Sequence, residues 1–284
     1  MWKLLTVLAL VAATAVQAAY EDVQPKLHAS QAKSAPHDAP LRIVNGDEAT
    51  PGQFPHQVGI EIDLVDGRKA FCGGSILTEH IIITAAHCAE HGTQFLIWAG
   101  AHEIDQDGTP YITKKKLVHE KFGSDGAVAN DIALLYVREE IKFNDRVQPI
   151  RLPSAEQAQD SFWKAQVTMS GWGLTHTRDE KKSPVLRFVT SRVVSNLYCR
   201  ARFFFRYVQK TNICVSGWWA KGTCQGDSGG PMVVYEADGK PTLIGLTSFG
   251  VGLGCAASWP NVFTRVTSYL DWIESSIEHL SLAR

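Results

Sequence analysis

Long apolar runs are scarce in this chain. Leu4 to Ala15 is one, and it is too short to span a bilayer as a helix. Metal-binding spacing is also missing. None of the six cysteines stands in Cys-x-x-Cys, and the ten histidines are scattered without His-Glu-x-x-His. That leaves only a weak case for zinc. There is no long block of Lys and Arg, so nucleic acid is an unsuited partner. No Asn-x-Ser/Thr sequence occurs, so N-glycosylation is not expected. Cysteine is absent before Cys72.

What is present concentrates in one stretch, Gly222-Thr223-Cys224-Gln225-Gly226-Asp227-Ser228-Gly229-Gly230-Pro231. A run this rich in glycine and ending in proline is neither a helix nor a strand interior. It reads as a tight loop whose backbone comes close to something. Uncovered N–H groups there can converge on a negative oxygen. Serine alone is a poor nucleophile, so a catalytic Ser228 needs a base. Gly-Asp-Ser-Gly is also ordinary turn composition. Two further stretches weigh against that plainer reading. His87 follows the apolar run Ile81-Ile82-Ile83, and Asp131 opens the run Ile132-Ala133-Leu134-Leu135. Singly, such a histidine or aspartate is more often structural. Together the three supply a nucleophile, a base and an orienter.

The chain resembles the chymotrypsin-like, trypsin-fold serine proteases. The matching stretches are Ile43-Val44-Asn45-Gly46, Thr84 to Cys88, Asp131 to Leu135, Gly171-Trp172-Gly173, Gly226 to Pro231 and Ser248-Phe249-Gly250. They stand in the family's order and cover residues 43 to 284. Within the family the resemblance leans to arthropod digestive enzymes of the chymotrypsin or collagenase type. It implies His87 as general base, Asp131 as its orienter, Ser228 as nucleophile, and the N–H groups of Gly226 and Ser228 as oxyanion hole. No cofactor or metal is needed for that chemistry.

Residues 1–18 read as a secretory signal peptide: Lys3, the apolar centre, then Val16-Gln17-Ala18. The mature protein is therefore expected outside the cell. Residues 19–42 carry Pro25, Pro36 and Pro40 and have no aromatic after Tyr20, so they cannot fold alone. They read as a linker or, by the resemblance, as an activation propeptide cut after Arg42. The freed amine of Ile43 then pairs with the buried Asp227 and orders the nucleophile loop. Removing residues 1–42 takes away four basic and three acidic side chains and leaves a net charge of about −2.

Periodicity favours strands at Val58–Val65, Gln94–Trp98, Tyr111–Thr113, Ile132–Val137, Gln166–Met169, Leu186–Val194, Thr242–Thr247 and Val262–Val266. Leu270, Ile273, Ile277 and Leu280 recur at helical spacing, with Ser268 as the expected N-cap and Asp271 in the first turn. Many short strands suggest a barrel or a sandwich. The resemblance implies an all-β fold of two packed antiparallel six-stranded β-barrels, split near residues 145–165, and a C-terminal helix. An even cysteine count behind a signal peptide implies disulfides, and six cysteines allow 15 pairings. The resemblance selects Cys72–Cys88, Cys199–Cys214 and Cys224–Cys255.

It also carries the primary substrate pocket onto Gly222, Thr223, Ser248, Phe249, Gly250 and Asn261. None is acidic, so a bound Arg or Lys would bury an unpaired charge. The expected preference is Phe, Tyr, Leu or Met, with elastase-like narrowing by Thr223 or Val251, or broad collagenase-like specificity, as alternatives. Trp218-Trp219 reads as an extended substrate site or as loop packing. Expected partners are protein substrates, an activating trypsin-like protease and protein inhibitors, with the enzyme a monomer. A non-catalytic homologue and a cascade protease remain as other classes. All triad residues are present, and the chain carries no Cys-rich N-terminal module.

Overall fold

The computed structural model describes residues 46–124, 128–175, 181–218, 222–255 and 257–282, together with the backbone of 25–27 and 30–31. The strands, in chain order, are β1 (Pro25–Leu27), β2 (Ser30–Gln31), β3 (Asp47–Glu48), β4 (Gln57–Leu64), β5 (Lys69–Ile76), β6 (Ile81–Thr84), β7 (Gly92–Ala99), β8 (Thr109–Thr113), β9 (Lys115–Val118) and β10 (Ala133–Tyr136). β11 (Gln166–Gly171), β12 (Arg187–Val194), β13 (Asn212–Val215), β14 (Pro231–Tyr235), β15 (Pro241–Val251) and β16 (Asn261–Arg265) follow. Helices are α1 (Ala86–Ala89), α2 (Asn196–Arg202) and α3 (Leu270–Leu282).

The strands form two antiparallel sheets. One runs β8-β7-β4-β5-β6-β10-β9. Only Lys114 separates β8 from β9, so they act as one bent strand and the sheet curls into a six-membered barrel. The other runs β15-β14-β11-β12-β13-β16, and β16 pairs back onto β15, which closes the second barrel. Alternation in the sequence builds the first interior. Val58, Ile60 and Ile62 of β4 and Phe95, Ile97 and Ala99 of β7 all point inward and are buried. Met169, Val189, Val193, Ile213, Met232 and Phe263 fill the second. The fold is mostly β, two barrels and a C-terminal helix, as the sequence implied.

Helix α3 buries Ile273 and Leu280 against Ile83, Leu134 and Tyr136 of the first barrel and Leu243 and Leu246 of the second. It thus clamps both barrels. Ser268 is not its N-cap: a 3-10 turn over Val266–Tyr269 leads into the helix, so the chain is already coiled before Ser268. Several elements went unread in the sequence, β1, β2, β3, β5, β9 and β13 among them, and two more, α2 and β14, bear on the site. α2 is only seven residues long and has no apolar period; its one signal is Ser195, whose side chain accepts the Tyr198 N–H at 3.2 Å. β14 begins at Pro231, directly behind the glycine-rich loop.

Candidate active site

Three elements converge in the groove between the barrels. α1 is a single turn that follows β6 and carries His87. Asp131 stands two residues before β10, and Ser228 lies in the loop ahead of β14. β6 and β10 are paired over Ile81–Thr84 and Ala133–Tyr136, which brings His87 and Asp131 side by side. The Cys72–Cys88 bond ties β5 to α1 beside the imidazole, with Cα atoms 6.3 Å apart. Cys72, His87 and Cys88 crowd together like metal ligands, but the two sulfurs are bonded to each other and cannot serve.

His87 Nε2 lies 2.8 Å from Ser228 Oγ, and His87 Nδ1 lies 2.8 Å from Asp131 Oδ2. The backbone N–H of His87 donates to Asp131 Oδ1 at 2.9 Å, so the carboxylate holds both the ring and its backbone. Ser248 Oγ donates to Asp131 Oδ2 at 2.6 Å. Burial pushes the Asp131 carboxyl up, but the neighbouring His87 and the donors on His87 and Ser248 outweigh it, and its pKa is held below the usual carboxylate value. An anion there fixes the proton on Nδ1 and leaves Nε2 free to accept one from the serine.

The nucleophile loop is held open by glycine. Gly226 has φ of +100° and Gly229 +72°, conformations that side chains resist. A Cβ on Gly229 would also strike Thr84 Oγ1. Gly73 N–H donates to the Ser228 carbonyl at 2.7 Å, pinning the loop to β5. Among the described residues, no acceptor meets the N–H of Gly226 or Ser228.

Asp227 is fully buried. Its Oδ1 accepts the Gly173 N–H and its Oδ2 the Cys224 N–H, both at 2.8 Å. A Cβ on Gly171 or Gly173 would collide with this carboxylate, which explains that pair of glycines. Among the described residues no cation pairs with it, and burial raises its pKa to about 7, only partly offset by the two N–H donors. Arg42 and Ile43 lie outside the described residues.

At the pocket positions, Asn261 reaches under Gly222. Its Oδ1 accepts the Thr223 N–H at 2.8 Å and lies 3.1 Å from Thr223 Oγ1, and its Nδ2 donates to the Trp259 carbonyl at 3.2 Å. A side chain on Gly222 would collide with this carboxamide. Thr223 therefore turns its hydroxyl toward Asn261. Phe249 is fully buried, its ring edge-on to Phe203 at 5.8 Å. Ser248 also spends its hydroxyl on Asp131, a second role that the sequence reading did not name. Cys224–Cys255 ties the nucleophile loop to the segment after β15, and Cys199–Cys214 ties α2 to β13. Trp218 is 66% exposed beside Tyr198, Arg202 and Ser258, so it is not packing a loop; Trp219 lies outside the described residues.

Two barrels with a serine–imidazole–carboxylate chain between them define a serine hydrolase of the chymotrypsin type. The chain belongs to the trypsin family: the family model described as Trypsin matches residues 43–273. It is a serine endopeptidase and acts on protein substrates. It is 34% identical to a collagenase of Hypoderma lineatum over 235 residues, covering 83% of this chain and 87% of that protein. It is 36% identical to a brachyurin of Leptuca pugilator over 236 residues, covering 82% and 97%. The solved structure of HL collagenase superposes with a TM-score of 0.76 at 34% identity, over 83% of this chain and 99% of that one.

Proposed function

We propose that Ser228 attacks the scissile carbonyl while His87 takes its proton, and that His87 then protonates the leaving amine. Asp131 holds the imidazole and stabilises its charged form. The N–H groups of Gly226 and Ser228 receive the oxyanion. Water hydrolyses the acyl-enzyme by the same path in reverse. The observation that carries this reading is the unbroken chain of 2.8 Å contacts from Asp131 through His87 to Ser228.

The protein is made as a secreted zymogen in this reading. Residues 1–18 are the signal peptide, 19–42 the propeptide and 43–284 the protease. Cleavage after Arg42 supplies an Ile43 ammonium to the buried Asp227, which has no cation partner among the described residues. Three disulfides suit an oxidising exterior.

The pocket takes Phe, Tyr, Leu or Met. Gly222, Thr223, Ser248, Phe249, Gly250 and Asn261 carry no charge to meet Arg or Lys, and the Asn261 amide already satisfies its own neighbours. That amide occupies the pocket base, which favours Leu and Met over the longest side chains. A substrate library varied at the residue before the cut checks this: turnover of Leu, Met and Phe should exceed that of Arg by at least about 10³. Asn261→Asp keeps an oxygen for the Thr223 N–H and adds a charge, so Arg and Lys should become substrates. Equal turnover of Arg by the unaltered enzyme sinks the pocket assignment.

An enzyme with this pocket cannot cut after Arg42. Purified uncut protein should stay inactive for hours, and catalytic amounts of trypsin should activate it with Ile43 as the new terminus. Spontaneous cleavage at that bond by the pure protein contradicts the proposal. A pocket that reads one uncharged side chain suits broad protein digestion, and expression in gut rather than blood is the expected finding.

A further inference from the structure

Two short strands upstream of the protease lie where substrate must enter. β1 pairs antiparallel with the end of β15, Pro25 opposite Val251, Lys26 opposite Gly250 and Leu27 opposite Phe249. β2 pairs antiparallel with the start of β5, Ser30 opposite Phe71 and Gln31 opposite Ala70. β1 thus docks on the second barrel and β2 on the first. Among the described residues, both docking edges are otherwise open. β15 pairs on its other side with β16 at Phe249, and β5 pairs on its other side with β4 at Ala70 and Phe71. Such edges accept an extended peptide through backbone hydrogen bonds.

The two docking points flank the candidate nucleophile. Phe249 adjoins Ser248, whose hydroxyl bonds Asp131. Phe71 is two residues from Gly73, whose N–H bonds the Ser228 carbonyl. Leu27 and Ser30 are three residue steps apart, at most about 11 Å. The two pairings therefore lie on either side of the groove that holds Ser228. Ser228 is buried and the His87 side chain is 2% exposed.

We propose that Pro25–Leu27 and Ser30–Gln31 occupy the substrate groove of the uncut chain as added antiparallel strands and block it. This rests on the zymogen reading above and adds a second lock to it. The pairings lie upstream of Arg42, so cleavage there does not remove them directly. Cleavage removes the tether instead. While attached, so short a segment sees its groove at an effective concentration in the millimolar range. Once cut it is a free peptide with no cysteine to hold it, and five paired residues bind too weakly to persist after dilution. Activation thus has two steps, the cut and the departure, and the released peptide remains a weak competitor of substrate.

Amide hydrogen exchange on the full uncut chain tests this directly. The comparison is a variant carrying Lys26→Pro, Leu27→Pro, Ser30→Pro and Gln31→Pro, which strips every remaining N–H donor from the paired stretch. Groove-facing amides at 70–71 and 249–251 should exchange at least tenfold more slowly in the unaltered chain. Equal rates overturn the proposal. After trypsin treatment, synthetic peptide 19–42 should raise the KM of a peptide anilide with kcat unchanged, at tens to hundreds of micromolar. The four-proline peptide should inhibit at least tenfold less. Equal inhibition by both, or inhibition that lowers kcat alone, also overturns it. Failure of trypsin to create a terminus at Ile43 defeats the zymogen reading only, because the exchange comparison needs no cut.

Discussion

Ser228→Ala in the trypsin-treated protein should lower kcat by about 10⁵–10⁶ while leaving KM and thermal stability nearly unchanged. The hydroxyl is one small group touching His87 Nε2 at 2.8 Å, and the loop around it is held by Gly73, Thr247 and Asp227 backbone bonds that the substitution does not touch. Asp131→Asn should fall less far, by about 10⁴, through a different failure. The amide can present its N–H₂ to the ring, which then carries its proton on Nε2 and cannot accept one from Ser228. Ser248 also donates to Asp131 Oδ2, so an amide nitrogen in that place would lose the bond. The double variant should be no worse than Ser228→Ala alone, because both act through one proton path. Turnover of a peptide anilide measures all three, with circular dichroism to check the fold. Undiminished turnover by Ser228→Ala, or additive losses in the double variant, would remove these residues from their roles.

Legibility in the sequence followed chemistry rather than shape. Ser228, His87 and Asp131 could be picked out because nucleophilic catalysis tolerates few residue types and leaves glycine around the attacking hydroxyl. Gly222 and Asn261 were legible as the lack of an acid. The strands of both barrels were legible where one face is dry, as in β4 and β7, since alternation then marks the buried side. The missed elements are those with little local signal. β1 and β2 are three and two residues long and lie in a segment whose composition excludes an independent core. Their structure is borrowed from the edges of β15 and β5. The bond from Ser248 to Asp131 was not foreseen either, and there β15 carries a register shift between Thr247 and Phe249. Such an irregularity re-aims a side chain, and no sequence pattern announces it.

Asp227→Asn should have opposite consequences before and after cleavage at Arg42. In the uncut chain the carboxyl is buried, its pKa is raised to about 7, and only two N–H groups face it. A folded-state pKa above the unfolded value of 3.8 means that the folded chain holds a proton the unfolded chain has already lost. Its contribution is therefore present below about pH 4 and is lost as pH rises toward 7. Three pKa units correspond to about 4 kcal/mol at most. His56 works against this slope. It is buried with its pKa lowered to about 4, so its contribution is present above about 6.5 and is lost as pH falls to 4. The two trends overlap, and the difference between Asp227→Asn and the unaltered chain isolates the carboxyl. In urea titrations of the uncut forms, that difference should grow in favour of Asn from pH 4 to pH 7 and level off above. On the proposed activation, the Ile43 ammonium becomes the partner after cleavage, the carboxylate is stabilised as an anion, and its pKa should drop. Asn then breaks a buried ion pair, at a cost of about 3–5 kcal/mol, and activity should fall by about 10²–10⁴ as the nucleophile loop loses its anchor. A variant that is more stable than the parent when uncut at pH 8, yet nearly inactive when cut, is the expected signature. An Asp227→Asn enzyme with full activity after cleavage would mean that the buried carboxylate does not receive the new terminus.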